Sequence, residues 1–238
     1  MAPDNRFHTT RWSVVLAARA RGEAGSDEAL ARLCETYWYP LYVFIRRRGH
    51  GGDEALDLTQ EFFLRLVERD WLDNVRPEAG RFRSFLLATA KHFLSHEQRR
   101  ERALRRGGEL RFVSLDLAEE RYRAEPHDDE SPERAYERRW AMAVLERVSK
   151  RLAAEMSEGG KAETYRLLAP YLAGGEGERP YRDAAERLDT TEAAVKMAVM
   201  RLRRRFGRIL REEIAQTVDT AAEVDEEVRY LLGIIRER

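Results

Sequence analysis

One cysteine, Cys34, stands in 238 residues. An intrachain disulfide is excluded, and a reducing compartment suits the chain. Cys34 falls in the helical spacing of Leu30, Leu33 and Tyr37, which predicts a buried structural thiol rather than a nucleophile. No apolar run approaches the ~20 residues that a membrane helix requires. No signal pattern is visible either, so a cytoplasmic protein is expected. Prolines number only seven and β-branched runs are scarce, which argues for helix over sheet. No Ser/His/Asp, Cys/His or paired-carboxylate arrangement occurs at workable spacing, so no catalytic chemistry is expected. His92 and His96 are spaced i, i+4, a possible metal grip, but no further ligand follows at metal spacing. No metal and no cofactor are expected.

Net charge is also missing: 43 Lys and Arg balance 43 Asp and Glu. That total hides a partition. Residues 81–111 hold nine basic against three acidic residues, and residues 181–211 hold nine against four. Residues 109–137 hold four against ten, and residues 212–238 three against eight. Two basic blocks alternating with two acidic ones suggest two surfaces for an anionic ligand.

The second basic block contains YRDAAERLDTTEAAVKMAVMRLRRRF, Tyr181 to Phe206. It reads as two short helices with a tight turn. Ala184, Ala185 and Leu188 share one face of the first. Thr190 or Thr191 is placed to cap the second, and Glu192 suits its positive end. Val195, Val199 and Leu202 form its buried stripe. Lys196, Arg201, Arg203, Arg204 and Arg205 are left on the other side. Either this is an ordinary helical hairpin with a solvated basic face, or it is a helix-turn-helix whose second helix fits a DNA major groove.

Upstream, Arg11–Arg21 and Glu28–Arg48 read as helices, with Pro40 expected to bend or split the second. Asp53–Trp71 is a third. Its Ala55, Leu58, Phe62, Leu66 and Val67 are expected inside, and Asp57, Gln60, Glu61 and Arg65 on a polar ridge that is either solvated or docks a partner. Asp73–Gly80 is a loop, and Arg81–Arg106 a basic helix with a stripe of Phe82, Phe85, Leu86, Ala90, Phe93 and Leu94. Aromatic residues among bases suit a surface that holds phosphates and stacks exposed bases, although core packing also explains the rings. EPHDDESP is acidic and turn-rich. Ser131-Pro132-Glu133 starts a helix with a hydroxyl cap and proline at its first position. Lys161–Leu172 is another, and Val224, Val228, Leu231, Leu232 and Ile235 give the tail an amphipathic stripe. That tail either extends the core of the C-terminal domain or occupies the basic recognition surface as a brake.

Asp57-Leu58-Thr59-Gln60-Glu61-Phe62-Phe63 resembles the D-L-x-Q-E-x-F motif of bacterial RNA polymerase sigma factors, in the extracytoplasmic-function branch of the sigma-70 family. Phe82-Arg83-Ser84-Phe85-Leu86 and its basic helix are similar to that family's promoter-melting, −10-reading segment. Tyr181–Phe206 is similar to its −35-reading helix-turn-helix. Phe85, His92 and Asp189 stand where the family usually has Trp, Asn and Gly. The resemblance implies an all-α fold of two helical domains. Residues 1–106 would be a region 2-like domain, 107–131 an acidic linker, 132–211 a region 4-like domain and 212–238 a C-terminal helical extension.

The implied function is transcription initiation: binding core RNA polymerase, reading and melting the −10 element, and reading the −35 element. The implied partners are the β′ clamp helices and β flap of the polymerase, promoter DNA and an anti-sigma factor, with no membrane. Polymerase docking would fall to Asp57, Gln60, Glu61, Phe63 and Arg65. The −10 contacts would fall to Arg76, Arg83, Lys91, His92, His96, Arg99 and Arg100. The −35 contacts would fall to Arg182, Thr190, Thr191, Ala194, Lys196, Met197, Arg201, Arg203, Arg204 and Arg205. The alternative is a stand-alone helix-turn-helix regulator that never engages polymerase.

Overall fold

The structure is a computed structural model that describes Val15, Ala18 and residues 25–68, 81–101, 115–125, 130–172, 181–218 and 220–237. Among the described residues it is all helical: α1 (Ser26–Arg47), α2 (Gly52–Glu68), α3 (Phe82–Glu101), α4 (Leu115–Ala124), α5 (Pro132–Glu158), α6 (Ala162–Leu168), a short 3-10 turn (Ala169–Tyr171), α7 (Tyr181–Arg187), α8 (Glu192–Ile214) and α9 (Ala221–Arg236). The expected helix Arg11–Arg21 and the loop Asp73–Gly80 lie outside the described residues, apart from the buried Val15 and Ala18. No described helix is long and apolar enough to cross a membrane.

The chain divides into two compact units. The first takes residues 1–143 together with 214–238, and the second takes residues 144–213. The tail therefore groups with the first unit, which overturns the first of its two expected roles, an extension of the C-terminal core.

In the first unit, α1, α2, α3 and the start of α5 share an aromatic core. Tyr37 meets Phe82 edge-on at 5.4 Å, Phe62 meets Phe93 at 5.7 Å, and Phe44 meets Tyr136 at 6.5 Å. Helix α1 runs through Pro40 unbroken. Residues 37 to 45 are all buried, so packing on every side offsets the ~3 kcal/mol that an interior proline costs a helix. Helix α9 starts with a reciprocal capping box between Thr220 and Glu223. It buries Val224, Val228, Leu231 and Ile234, each contributing ~1.5–3 kcal/mol. Leu232 and Ile235, expected in that stripe, are 38% exposed, because the buried arc lies one residue earlier in the turn.

Within the expected acidic linker, Leu115–Ala124 is a docked helix. Tyr42 donates its hydroxyl to Glu119 Oε2 at 2.5 Å. Arg46 donates to both Glu119 oxygens, at 3.0 and 3.1 Å, and lies over the Tyr122 ring. Burial pushes the Glu119 carboxyl up, but hydrogen bonds from Tyr42 and Arg46 outweigh it and hold it below the ordinary 4.5. The remainder of the linker, residues 107–114 and 126–129, lies outside the described residues.

In the second unit, the end of α5, α6, the 3-10 turn and α8 bury Val148, Leu152, Leu168, Tyr171, Val195, Val199, Leu202 and Leu210. Helix α5 opens as its sequence predicts, with the Arg134 amide donating to Ser131 Oγ at 3.2 Å. It closes on Gly160 at φ 68°, with Lys161 N to Met156 O at 2.8 Å and Gly160 N to Ser157 O at 2.9 Å, a Schellman motif.

Because the folded Glu119 carboxyl lies below its unfolded value, its contribution is complete above pH ~4.5 and fades as pH falls through the folded value. Glu119→Gln should lower the urea-unfolding free energy of the first unit by ~1–3 kcal/mol at pH 7 and flatten its loss on acidification.

Candidate nucleic-acid and partner-docking surfaces

The two helices expected within Tyr181–Phe206, and the tight turn between them, form as their sequence suggests. Helix α7 buries Tyr181, Ala184 and Ala185. It ends in a Schellman motif: Thr190 N donates to Ala185 O at 3.0 Å, Asp189 N donates to Glu186 O at 3.3 Å, and Asp189 is left-handed at φ 48°. An aspartate tolerates that conformation better than most side chains, because its short polar group bonds locally. Of the two expected caps, Thr191 is the one used, accepting from the Ala194 amide at 3.2 Å. Helix α8 then turns Val195, Val199 and Leu202 inward.

Arg182, Thr190, Thr191, Ala194, Lys196, Met197, Arg201, Arg203 and Arg204 are exposed. Met200, 44% exposed, accompanies Met197 at 51%; the i, i+3 spacing was available in the sequence but was not used. Not all the arginines face outward alone. Arg203 donates to the Tyr171 carbonyl at 2.7 and 3.2 Å, and Arg205, half-buried, pairs with Glu155 at 2.8 Å. These two side chains tie α8 to the rest of the second unit. Burial raises the Glu155 carboxyl, but the hydrogen bond from Arg205 and the charges of Arg205, Arg208 and Arg151 hold it below 4.5. Arg182 lies 3.7 Å from Glu186, and Lys196 lies over the Tyr181 ring at 5.6 Å.

In the first unit the expected ridge on α2 is only partly open. Asp57 is exposed and Glu61 half-exposed, whereas Gln60 is 7% exposed, Phe63 5% and Arg65 8%. Residues 56, 59, 60 and 63 fall on one buried arc, so Gln60 follows its apolar neighbours inward. Its Nε2 has no hydrogen-bond partner among the described residues. Arg65 is held by Glu61 at 2.7 Å and Glu97 at 2.6 Å, over the Phe93 ring.

On α3, His92 and His96 are exposed, and Lys91 pairs with Glu133 at 2.9 Å. Arg99 and Arg100 lie on the same helix, with their side chains outside the described set, as is Arg76 altogether. Arg83 is the clear correction. At 6% exposure it meets Glu227 at 2.5 Å and Glu137 at 3.2 Å, between the rings of Trp140 and Tyr230. Burial pulls its guanidinium down, and the bond and charge of Glu227 more than restore it, so the net shift is upward. It is a core cation here, not an open phosphate contact. Its carboxylate partner, Glu227, stood in the acidic tail and carried no sequence signal that it would be buried.

Half-buried Cys34 has its thiol pushed up to about 11 by burial, then by Glu35, which keeps it protonated at neutral pH.

Thr191→Ala removes one acceptor from the first turn of α8 and should cost ~1 kcal/mol of second-unit stability, read by thermal unfolding. Asp189→Val, forced into a left-handed conformation, should cost more than Asp189→Gly.

No curated protein and no solved structure matched the chain. Residues 33–104, which carry most of α1, all of α2 and α3, and both upstream motifs, match the family described as Sigma-70 region 2. That segment is similar to region 2 of sigma-70 factors, and the match extends over no other part of the chain.

Proposed function

We propose that the chain is a transcription initiation factor of extracytoplasmic-function type, which brings core RNA polymerase to promoters, melts the −10 element and reads the −35 element. The observation that supports this reading is the region 2 match over α1–α3, in a chain whose other unit holds two short-spaced helices, the second capped by Thr191 and basic on its exposed side. In it, Asp57 and Glu61 form the accessible edge that docks on the β′ clamp helices. The exposed face of α3, with His92 and His96, holds unstacked bases of the −10 strand. An extruded base gains a protein surface in place of a few kcal/mol of lost stacking. On α8, Thr191, Ala194, Lys196, Met197 and Arg201 face −35 bases or nearby phosphates.

The burial of Gln60 favours a second reading, a helix-turn-helix regulator that binds duplex DNA without polymerase. Run-off transcription with purified core polymerase, on the DNA upstream of the protein's own coding sequence, separates the two. Specific initiation that depends on the added protein is expected, and its absence together with intact duplex binding would favour the regulator. Asp57→Arg should abolish capture by core polymerase while leaving duplex binding within about twofold, since a rim charge of reversed sign opposes docking. Arg201→Ala should reduce the log–log salt slope of −35 duplex binding by about one unit, the signature of one lost phosphate contact.

A further inference from the structure

Helix α3 begins badly when considered alone. Its first turn contains no acidic residue, and Arg81 and Arg83 put cations at the end where the helix already carries positive partial charge. Its first amides have no intrahelical acceptor. The missing partners come from the far end of the chain. Phe82 N points to the Thr217 carbonyl at 3.5 Å. Glu226 meets Arg81 at 3.1 Å. Glu227 meets Arg81 at 2.8 Å and Arg83 at 2.5 Å, and is itself 1% exposed. Outside this group, Arg134 bonds Glu237, and Arg138 donates to the Glu237 carbonyl at 3.0 Å, fixing the last turn of α9 to α5.

We propose that Glu227 is a positioning residue for α3: from the C-terminal helix it supplies the anion that α3 lacks, and so fixes the start of the helix whose exposed face captures the unstacked strand. The capture half of this inference rests on the function proposed above; the helix-start half does not. A detachable lid over Arg81 and Arg83 would be the opposite device, and the apolar face that α9 buries with Val224, Val228, Leu231 and Ile234 makes it a permanent part of the unit. The two differ in sign. A lid that is broken exposes cations and raises single-strand binding; a broken support lowers it.

The test uses the full-length chain, alone and with core polymerase. Glu227→Gln keeps the shape of the side chain and removes its charge. Amide hydrogen exchange at residues 83–85 should accelerate about tenfold, as expected for a lost charge-assisted bond. Promoter opening by the polymerase complex should slow by about the same factor, while binding of a duplex carrying only the −35 site stays within about twofold. Adding Ser84→Glu, which places an acid in the first turn of α3 itself, should restore the exchange rates. Glu227→Asp, with the charge kept but withdrawn by one methylene, should fall between and serves if the glutamine variant does not fold. Unchanged exchange at residues 83–85, increased single-strand binding, or equal losses at both DNA elements would overturn the proposal. A wild-type complex that opens no promoter would instead remove the function proposed above, leaving the exchange result to decide on Glu227.

Discussion

A guanidinium taken almost completely out of water sets the terms for the first unit. Arg83 is 6% exposed, and a buried charge is tolerated only when it is paired and hydrogen-bonded. Glu227 from α9, Glu137 from α5 and the rings of Trp140 and Tyr230 meet that demand together. Tyr136 adds a hydroxyl bond to the Arg83 carbonyl at 3.0 Å. Two helices that are far apart in sequence, α5 and α9, thereby converge on one turn of α3. Removing one partner from such a pair costs ~3–5 kcal/mol, because the other is left buried and uncompensated. The interaction therefore fixes which helices can lie together more than it adds to stability.

The same logic explains a chain that is highly charged yet neutral overall. Several acids of the former linker, the start of α5 and the tail are paired with named cations within their own unit: Glu119 with Arg46, Glu125 with Arg139, Glu133 with Lys91 and Glu227 with Arg83. In the second unit Glu155 and Glu213 do the same for Arg205 and Arg151. The exposed cations of α8 toward its N-terminus are Lys196, Arg201, Arg203 and Arg204, beside the exposed Met197 and Met200, a more apolar face than the arginine run suggests.

Local features were legible in the sequence because they are set by local physics. The Ser131 cap, the left-handed Asp189 and the Thr191 cap depend on a few neighbouring residues. The stripe Val195, Val199, Leu202 needs only helical spacing. Other features depend on partners far along the chain. The periodicity of α2 does not say how wide its buried arc is, so Gln60, Phe63 and Arg65 were placed on the surface. The docking of Leu115–Ala124 rests on Tyr42 and Arg46, more than seventy residues earlier, which an acidic composition cannot reveal. The tail was expected either to extend the core of the unit it follows or to cover that unit's basic face, whereas Glu227 and the Thr217 carbonyl carry it back to α3. The unbroken path of α1 through Pro40 likewise reflects packing on all sides, which overrides the local preference.

The proposed function divides the labour between two helices, with α3 in one unit taking single-stranded promoter DNA and α8 in the other reading duplex. Hydrogen-exchange mass spectrometry of the full-length protein bound to core polymerase tests it most directly, with a single-stranded −10 oligonucleotide and a −35 duplex added separately. The account predicts protection of α3 around His92 and His96 by the single strand alone, and of the first turns of α8 by the duplex alone. Protection of the same helix by both ligands, or of neither helix by either, would contradict it.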